Sequence, residues 1–166
     1  LGTTSGLWGG VIILGDARLN SNPGQSNIEG IPTTETRGSY GGTNDEDNSG
    51  TLSYVSIRHG GTDIGAGNEI NGLSLGGVGS GTTLDHIEIF SNADDGVEYF
   101  GGTASIKYLI SAYCNDDAID YDETSSIALK EPLIVNSIVQ PEGETTGVNV
   151  TFYFPKKDPF EVPKTA

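Results

Sequence analysis

Apolar and polar residues alternate in short runs along most of this chain, and the runs return in register. Three longer segments superimpose: "TLSYVSIRHGG" from Thr51, "TLDHIEIFSNA" from Thr83 and "SIKYLISAYCN" from Ser105. Their apolar positions are Leu52, Val55 and Ile57, then Leu84, Ile87 and Ile89, then Ile106, Leu109 and Ile110, while Tyr54, His86 and Tyr108 share a column. A shorter segment follows each of them: "NGLSLGG" from Asn71, "DGVEYFGG" from Asp95 and "DAIDYDE" from Asp117. These place Leu73, Val97 and Ile119 in one inward column, with Leu75, Tyr99 and Tyr121 two residues on. Successive short segments lie 24 and 22 residues apart and successive long ones 32 and 22, the excess matching an extra loop, "TDIGAGNE".

Alternation with period two predicts strands, and recurrence at one spacing predicts stacked coils. A strand takes about five residues and a corner about two to four, so three of each fill one such repeat. Coils then stack about 4.8 Å apart, and equivalent side chains form ladders. An antiparallel sandwich or barrel also has short strands and glycine-rich turns, but it does not require columns in register at one period. The expected fold is all-β, a right-handed parallel β-helix (solenoid) of about four to five turns.

Two stretches break the pattern. "LWGGVIILGDARLN" reads as an earlier turn of strand, glycine corner and strand, but the residues from about 20 to 50 have almost no apolar periodicity and many turn formers. They are expected to leave the coil as a long loop, the kind of segment that often carries function. From about Ser126 the period is lost, which divides the chain into a β-helix domain, 1–126, and a divergent segment, 127–166. That segment holds "LIVNSIV", "VNVTFYF" and a proline-spaced basic tail. A solenoid must cover its last open turn, so the segment either caps the coil or is an extended strand exchanged with a neighbouring molecule.

Composition supports this reading and narrows the function. The 166 residues suffice for one domain, and 25 glycines with no methionine suit many tight turns. The formal charge of −15, from eight Lys and Arg against 23 Asp and Glu, repels phosphate backbones and anionic membranes. Nucleic acid is therefore not an expected partner, whereas Ca²⁺ would be attracted; a merely solvated acidic surface is the plainer alternative. Cys114 is the single cysteine, which excludes an internal disulfide and a thiolate zinc cluster. "VIILG" is far too short to span a bilayer and no charged-then-apolar signal precedes it, so a mature chain, or one whose targeting segment lies outside it, is expected.

"SGLWGGVIILGDARLN", "YGGTNDEDNSGTLSYVSIRHGG", "NEINGLSLGGVGSGTTLDHIEIFSNADDGVEYFGGT" and "NDDAIDYDE" together resemble a group of secreted bacterial surface proteins. The resemblance covers roughly residues 5 to 123, and "NEINGLSLGGVGSGT" and "DDGVEYFGGT" are its specific parts. It implies a right-handed parallel β-helix and an extracellular or cell-surface location. The group, mostly described as hypothetical or lipid-anchored, has no established catalytic chemistry, so no activity is implied. After about Glu123, where the group continues with further coil, this sequence departs from it.

The acidic corners are the leading candidates for chemistry. Asp94 and Asp95 align with Asp116 and Asp117 on the next turn, so stacking brings carboxylates together. Like charges that close need a counter-ion, a shared proton or full solvation. Ca²⁺ takes six to eight oxygen ligands, and Asn71, Asn92 and Asn115 stand nearby to add amide oxygens. The alternative is that Asp and Asn simply make good corners by bonding local backbone. "NDEDNSG", from Asn44, lacks the full spacing of a calcium loop and reads as a solvated loop.

Other arrangements carry less. A polysaccharide lyase needs a base such as Arg or Lys beside Ca²⁺, and a hydrolase needs two carboxylates flanking the bond. Arg58, His59 and Lys107, the cationic residues of the coil repeats, fall in no single acidic cluster, although Asp94, Asp117 and Asp120 imitate a carboxylate set. His59 and His86 do not share a column, so no two-histidine metal site is expected, and "GGVGSGT" reads as a tight corner. Trp8, Tyr40, Tyr54, Tyr99 and Tyr108 form either a sugar-stacking face or ordinary strand aromatics. Asn149 begins "NVT", a glycosylation acceptor only in a host with that chemistry.

The expected function is a non-catalytic extracellular structural protein, a cell-surface or filament-forming subunit that self-associates through its coil ends and C-terminal segment. The alternatives are a monomeric carbohydrate-binding or adhesion module, with a glycan as partner, and a small polysaccharide lyase or hydrolase. Calcium at Asp94, Asp95, Asp116 and Asp117 is the only cofactor in view.

Overall fold

A computed structural model of the chain describes residues 2–21, 24–65 and 70–122, and the backbone of 130–136. Its strands are β1 (Val11–Leu14), β2 (Ser26–Asn27), β3 (Ser39–Tyr40), β4 (Thr51–Arg58), β5 (Leu73–Gly76), β6 (Thr83–Phe90), β7 (Val97–Phe100), β8 (Ile106–Ala112), β9 (Ile119–Asp122) and β10 (Lys130–Asn136), with a 3-10 turn at Thr36–Gly38. The short strands stack in parallel in the order β1-β5-β7-β9, and the long ones in the order β10-β8-β6-β4. Leu73 pairs with Val97 and Val97 with Ile119, while Val55 pairs with Ile87 and Ile87 with Leu109. The columns of the repeat are thus rungs of a parallel β-helix. No helix among the described residues is long and apolar enough to cross a membrane.

β4, β6 and β8 each bend at a residue held in the left-handed region. Tyr54, His86 and Tyr108 have φ of 55°, 49° and 54°. That conformation costs a non-glycine residue roughly 1–2 kcal/mol. Ring stacking offsets part of the cost: Tyr54 lies on His86 with centroids 4.2 Å apart, and His86 on Tyr108 at 4.3 Å. Each such contact contributes about 0.5–1.5 kcal/mol beyond its burial. A second left-handed column, His59, Ser91 and Tyr113, closes these three strands.

The bend corrects one expected core position. Alternation restarts after Tyr108, so Leu109 points inward, Ile110 outward and Ser111 inward. Ile110 accordingly pairs with Glu88 and is exposed, while the buried Ser111 occupies the rung of Ile89.

The inward columns build the main core, from Leu73, Leu75, Leu84, Ile87, Ile89, Val97, Tyr99, Ile106, Leu109 and Ile119 among others. The excursion near residues 20–50 is more than a loop. β2 and β3 pair antiparallel, and Leu19, Ile28 and Tyr40 pack with Phe100 as a second core. Those apolar residues stand too far apart in sequence to show a period. Phe100 faces outward from β7, so the excursion covers the outer face of the short-strand sheet. The loop from Asn44 also explains the glycine-rich corner, because a Cβ on Gly79 would lie 2.4 Å from Asp47 N.

β10 pairs in parallel with β8, Leu133 opposite Leu109, which adds one rung to the long-strand sheet. Asn149 and the tail beyond residue 136, the larger part of the expected cap or exchanged strand, lie outside the described residues.

Candidate metal centre

The centre forms at the corner that leads into the short strands. Counting back from the rung Leu73, Val97 and Ile119, one column holds Asn71, Asp95 and Asp117, and the next holds Gly72, Gly96 and Ala118. Glycine is required within that second column: a Cβ on Gly96 would lie 2.1 Å from Ser111 Oγ and 2.6 Å from Ala118 O. This close approach stacks the acidic corners directly. Asn92 fixes the turn, donating from Nδ2 to Asp95 O at 2.8 Å and to Ile70 O at 3.3 Å.

Two sets of carboxylates converge there. Oxygens of Asp94, Asp95 and Asp116 lie within 4.8 Å of one another, as do those of Asp95, Glu98 and Asp120. Asp95 belongs to both. Glu98 and Asp120 are partners in the register of β7 and β9, with Ser74 on the rung before them. The Asn71 amide reaches this second set: Nδ2 donates to Glu98 Oε2 and, at 3.4 Å, to Ser74 Oγ.

The set is deeply enclosed, with Asp95 only 8% and Glu98 6% exposed. Burial pushes the Asp95 carboxyl up to about 8; the Asp117 N–H opposes this, and Asp94, Asp120 and Asp116 add to it. Burial likewise pushes Glu98 up to about 9, helped by Glu29, Asp95 and Asp120 and opposed by Asn71. Glu29, from the excursion, is itself raised by burial and by Asp122 and Asp120. Arg18, Arg37 and Arg58 are engaged elsewhere, with Asp45, Glu35 and Glu88. A pocket of buried carboxylates with amide oxygens suits a hard, oxygen-seeking cation such as Ca²⁺.

Three of the four aspartates singled out in the sequence come together, Asp94, Asp95 and Asp116. Asp117 contributes differently: its backbone N–H donates to Asp95 Oδ1 at 2.9 Å, and its carboxylate joins neither set. Asn92 serves the corner backbone, and Asn115 donates to Ser5 Oγ at 3.4 Å. Asp94 and Asp120 fall in different sets and Asp117 in neither, so that imagined catalytic trio is not assembled. Sequence reasoning missed Glu98 and Glu29. Glu98 alternates with Val97 and Tyr99 and shares a rung with Asp120, a signal present in the repeat; nothing in the excursion located Glu29.

The remaining candidates separate. Asp45 in the loop from Asn44 holds Arg18 at 2.5 Å. His59 and His86 lie in different left-handed columns. Tyr40 and Tyr99 are buried, whereas Trp8, Tyr54 and Tyr108 are exposed. Cys114 is buried, and burial pushes its thiol up.

Stacked parallel rungs around an apolar core, with carboxylates gathered at one corner, define an acidic β-helix. The chain belongs to the family described as the pectate-lyase-like β-helix domain, whose model matches residues 2–145. Comparisons with curated proteins and with solved structures found no match. A β-helix of this family is consistent with a structural or carbohydrate-related role.

Proposed function

We propose that the chain is a non-catalytic structural module of the cell surface or extracellular space, whose coil is clamped by Ca²⁺ held by Asp94, Asp95 and Asp116. The observation that carries this reading is the convergence of carboxylates from two successive coils around a buried Asp95. A cation bridging Asp94 and Asp95 to Asp116 ties one coil to the next and removes the repulsion that burial magnifies. The set combines a buried Asp95, a half-buried Asp94 and an exposed Asp116, with β7 beside it buried on both faces, so an ion can enter from solvent and be held, which suits an ion better than a pyranose ring flanked by two carboxylates. Extracellular calcium modules work at about 10⁻⁴–10⁻³ M affinity, within the means of an incomplete carboxylate cage completed by water.

Thermal unfolding with Ca²⁺ and with a chelator tests the reading. At a concentration of about 100 Kd the ion stabilises by about 2.7 kcal/mol, a readily measured rise in midpoint. An unchanged midpoint rejects the clamp. Turnover of an acidic polysaccharide by the full chain, lost in Asp116→Asn, replaces the structural reading with an enzymatic one.

A further inference from the structure

We propose that the outer face of the short-strand sheet holds a second divalent-cation site, formed by Asp95, Glu98, Asp120 and the side-chain oxygen of Asn71, beside the Asp94–Asp95–Asp116 centre. The inference rests on the reading that these carboxylates bind a cation, and adds a separate site with its own ligands.

Two independent observations meet here. The carboxylate oxygens of Asp95, Glu98 and Asp120 lie within 4.8 Å of one another. Asn71, 1% exposed, presents its amide to the same place, yet its Oδ1 has no hydrogen-bond partner while Nδ2 donates to Glu98. A buried amide oxygen left unpaired is destabilising, and a cation ligand removes that cost. An Asn oxygen beside carboxylates is a common calcium ligand set, and water or Ser74 Oγ can complete it.

The sheet explains why these residues meet. Ser74, Glu98 and Asp120 occupy one outward column, and Asn71 and Asp95 adjoin it at the corner. Glu29 approaches from the excursion, and its charge acts on Glu98. Carboxylates gathered in a place shielded from water call for a counter-ion or a proton. Because Asp95 belongs to both sets and each set bridges the same two coils, the two cations would sit side by side at one level of the coil, one at the corner and one on the strand.

Titration of the full chain with CaCl₂ by calorimetry, above the pH at which Glu98 ionises, tests this. Wild type is expected to take up two ions. Glu98→Gln and Asn71→Leu are each expected to weaken one of them on the order of 10–100-fold and spare the other. The double variant Asp94→Asn/Asp116→Asn is expected to lose the other ion instead. A single ion in wild type, unaffected by Glu98→Gln, overturns the second site and leaves the proposed clamp standing; uptake of no ion overturns both. Circular dichroism checks that each variant folds, and Asp120→Asn replaces Asn71→Leu if the latter does not.

Discussion

Asp95 Oδ1 accepts the backbone N–H of Asp117 at 2.9 Å, so a buried carboxylate of one coil is anchored on the backbone of the next. The contact needs an acceptor, not a charge. Asp95→Asn keeps an oxygen in that place and removes a negative charge set among Asp94, Asp116 and Asp120. In chelator at alkaline pH the variant is expected to be more stable than wild type by on the order of a few kcal/mol, read by denaturant unfolding. Added Ca²⁺ is expected to raise its midpoint little or not at all. A destabilised variant that still responds fully to Ca²⁺ removes Asp95 from the ligand set.

The buried acids also fix how the metal-free chain responds to pH. Asp95 goes from an ordinary value of 3.8 to about 8 on folding, and Glu98 from 4.5 to about 9. Between those limits the native state binds more protons than the unfolded chain, so stability falls as pH rises. The contribution is complete below about pH 4 and gone above about pH 9, and amounts to a few kcal/mol across that window. Asp45, Asp85 and Glu88, lowered by Arg18, Ser53 and Ser56, act oppositely and lose their stabilisation as pH falls through the acid range. Urea unfolding in chelator is therefore expected to show greatest stability on the mildly acidic side. Saturating Ca²⁺ is expected to shift the maximum upward, because the ion displaces protons from its ligands. A profile that rises steadily from pH 5 to pH 9 in chelator contradicts the burial of Asp95 and Glu98.

The sequence made the coil legible because a parallel register copies its period directly: Thr51 meets Thr83, and Val97 meets Ile119. Departures came where local backbone overrides alternation. The left-handed residue Tyr108 resets the phase and turns Ile110 outward, a change that hydrophobicity alone does not show. The corner aspartates were legible as a stack, but which of them converge depends on side-chain direction. Asp117 spends its N–H on Asp95, and Glu98 enters from the strand. Glu29 was out of reach because the excursion docks through Ile28 and Tyr40, contacts with no periodic signature.

We propose that copies of the chain self-associate through the end of the coil bearing β4. Among the described residues β4 pairs on one side only, with β6. Leu52 and Val55, together with Val11 and Ile13 of the same end, pack on the core but are only partly buried. A long parallel edge beside apolar side chains is a template for another strand, and a second copy stacked end to end supplies one. Light scattering and electron microscopy over a range of concentrations are expected to show linear assemblies. Val55→Lys, which puts a charge at the end of the inward column, is expected to return them to single chains, while Glu46→Lys, in the exposed loop from Asn44, leaves them intact. A wild-type chain that stays monomeric at high concentration rejects this contact, and assemblies untouched by Val55→Lys move it away from the β4 edge.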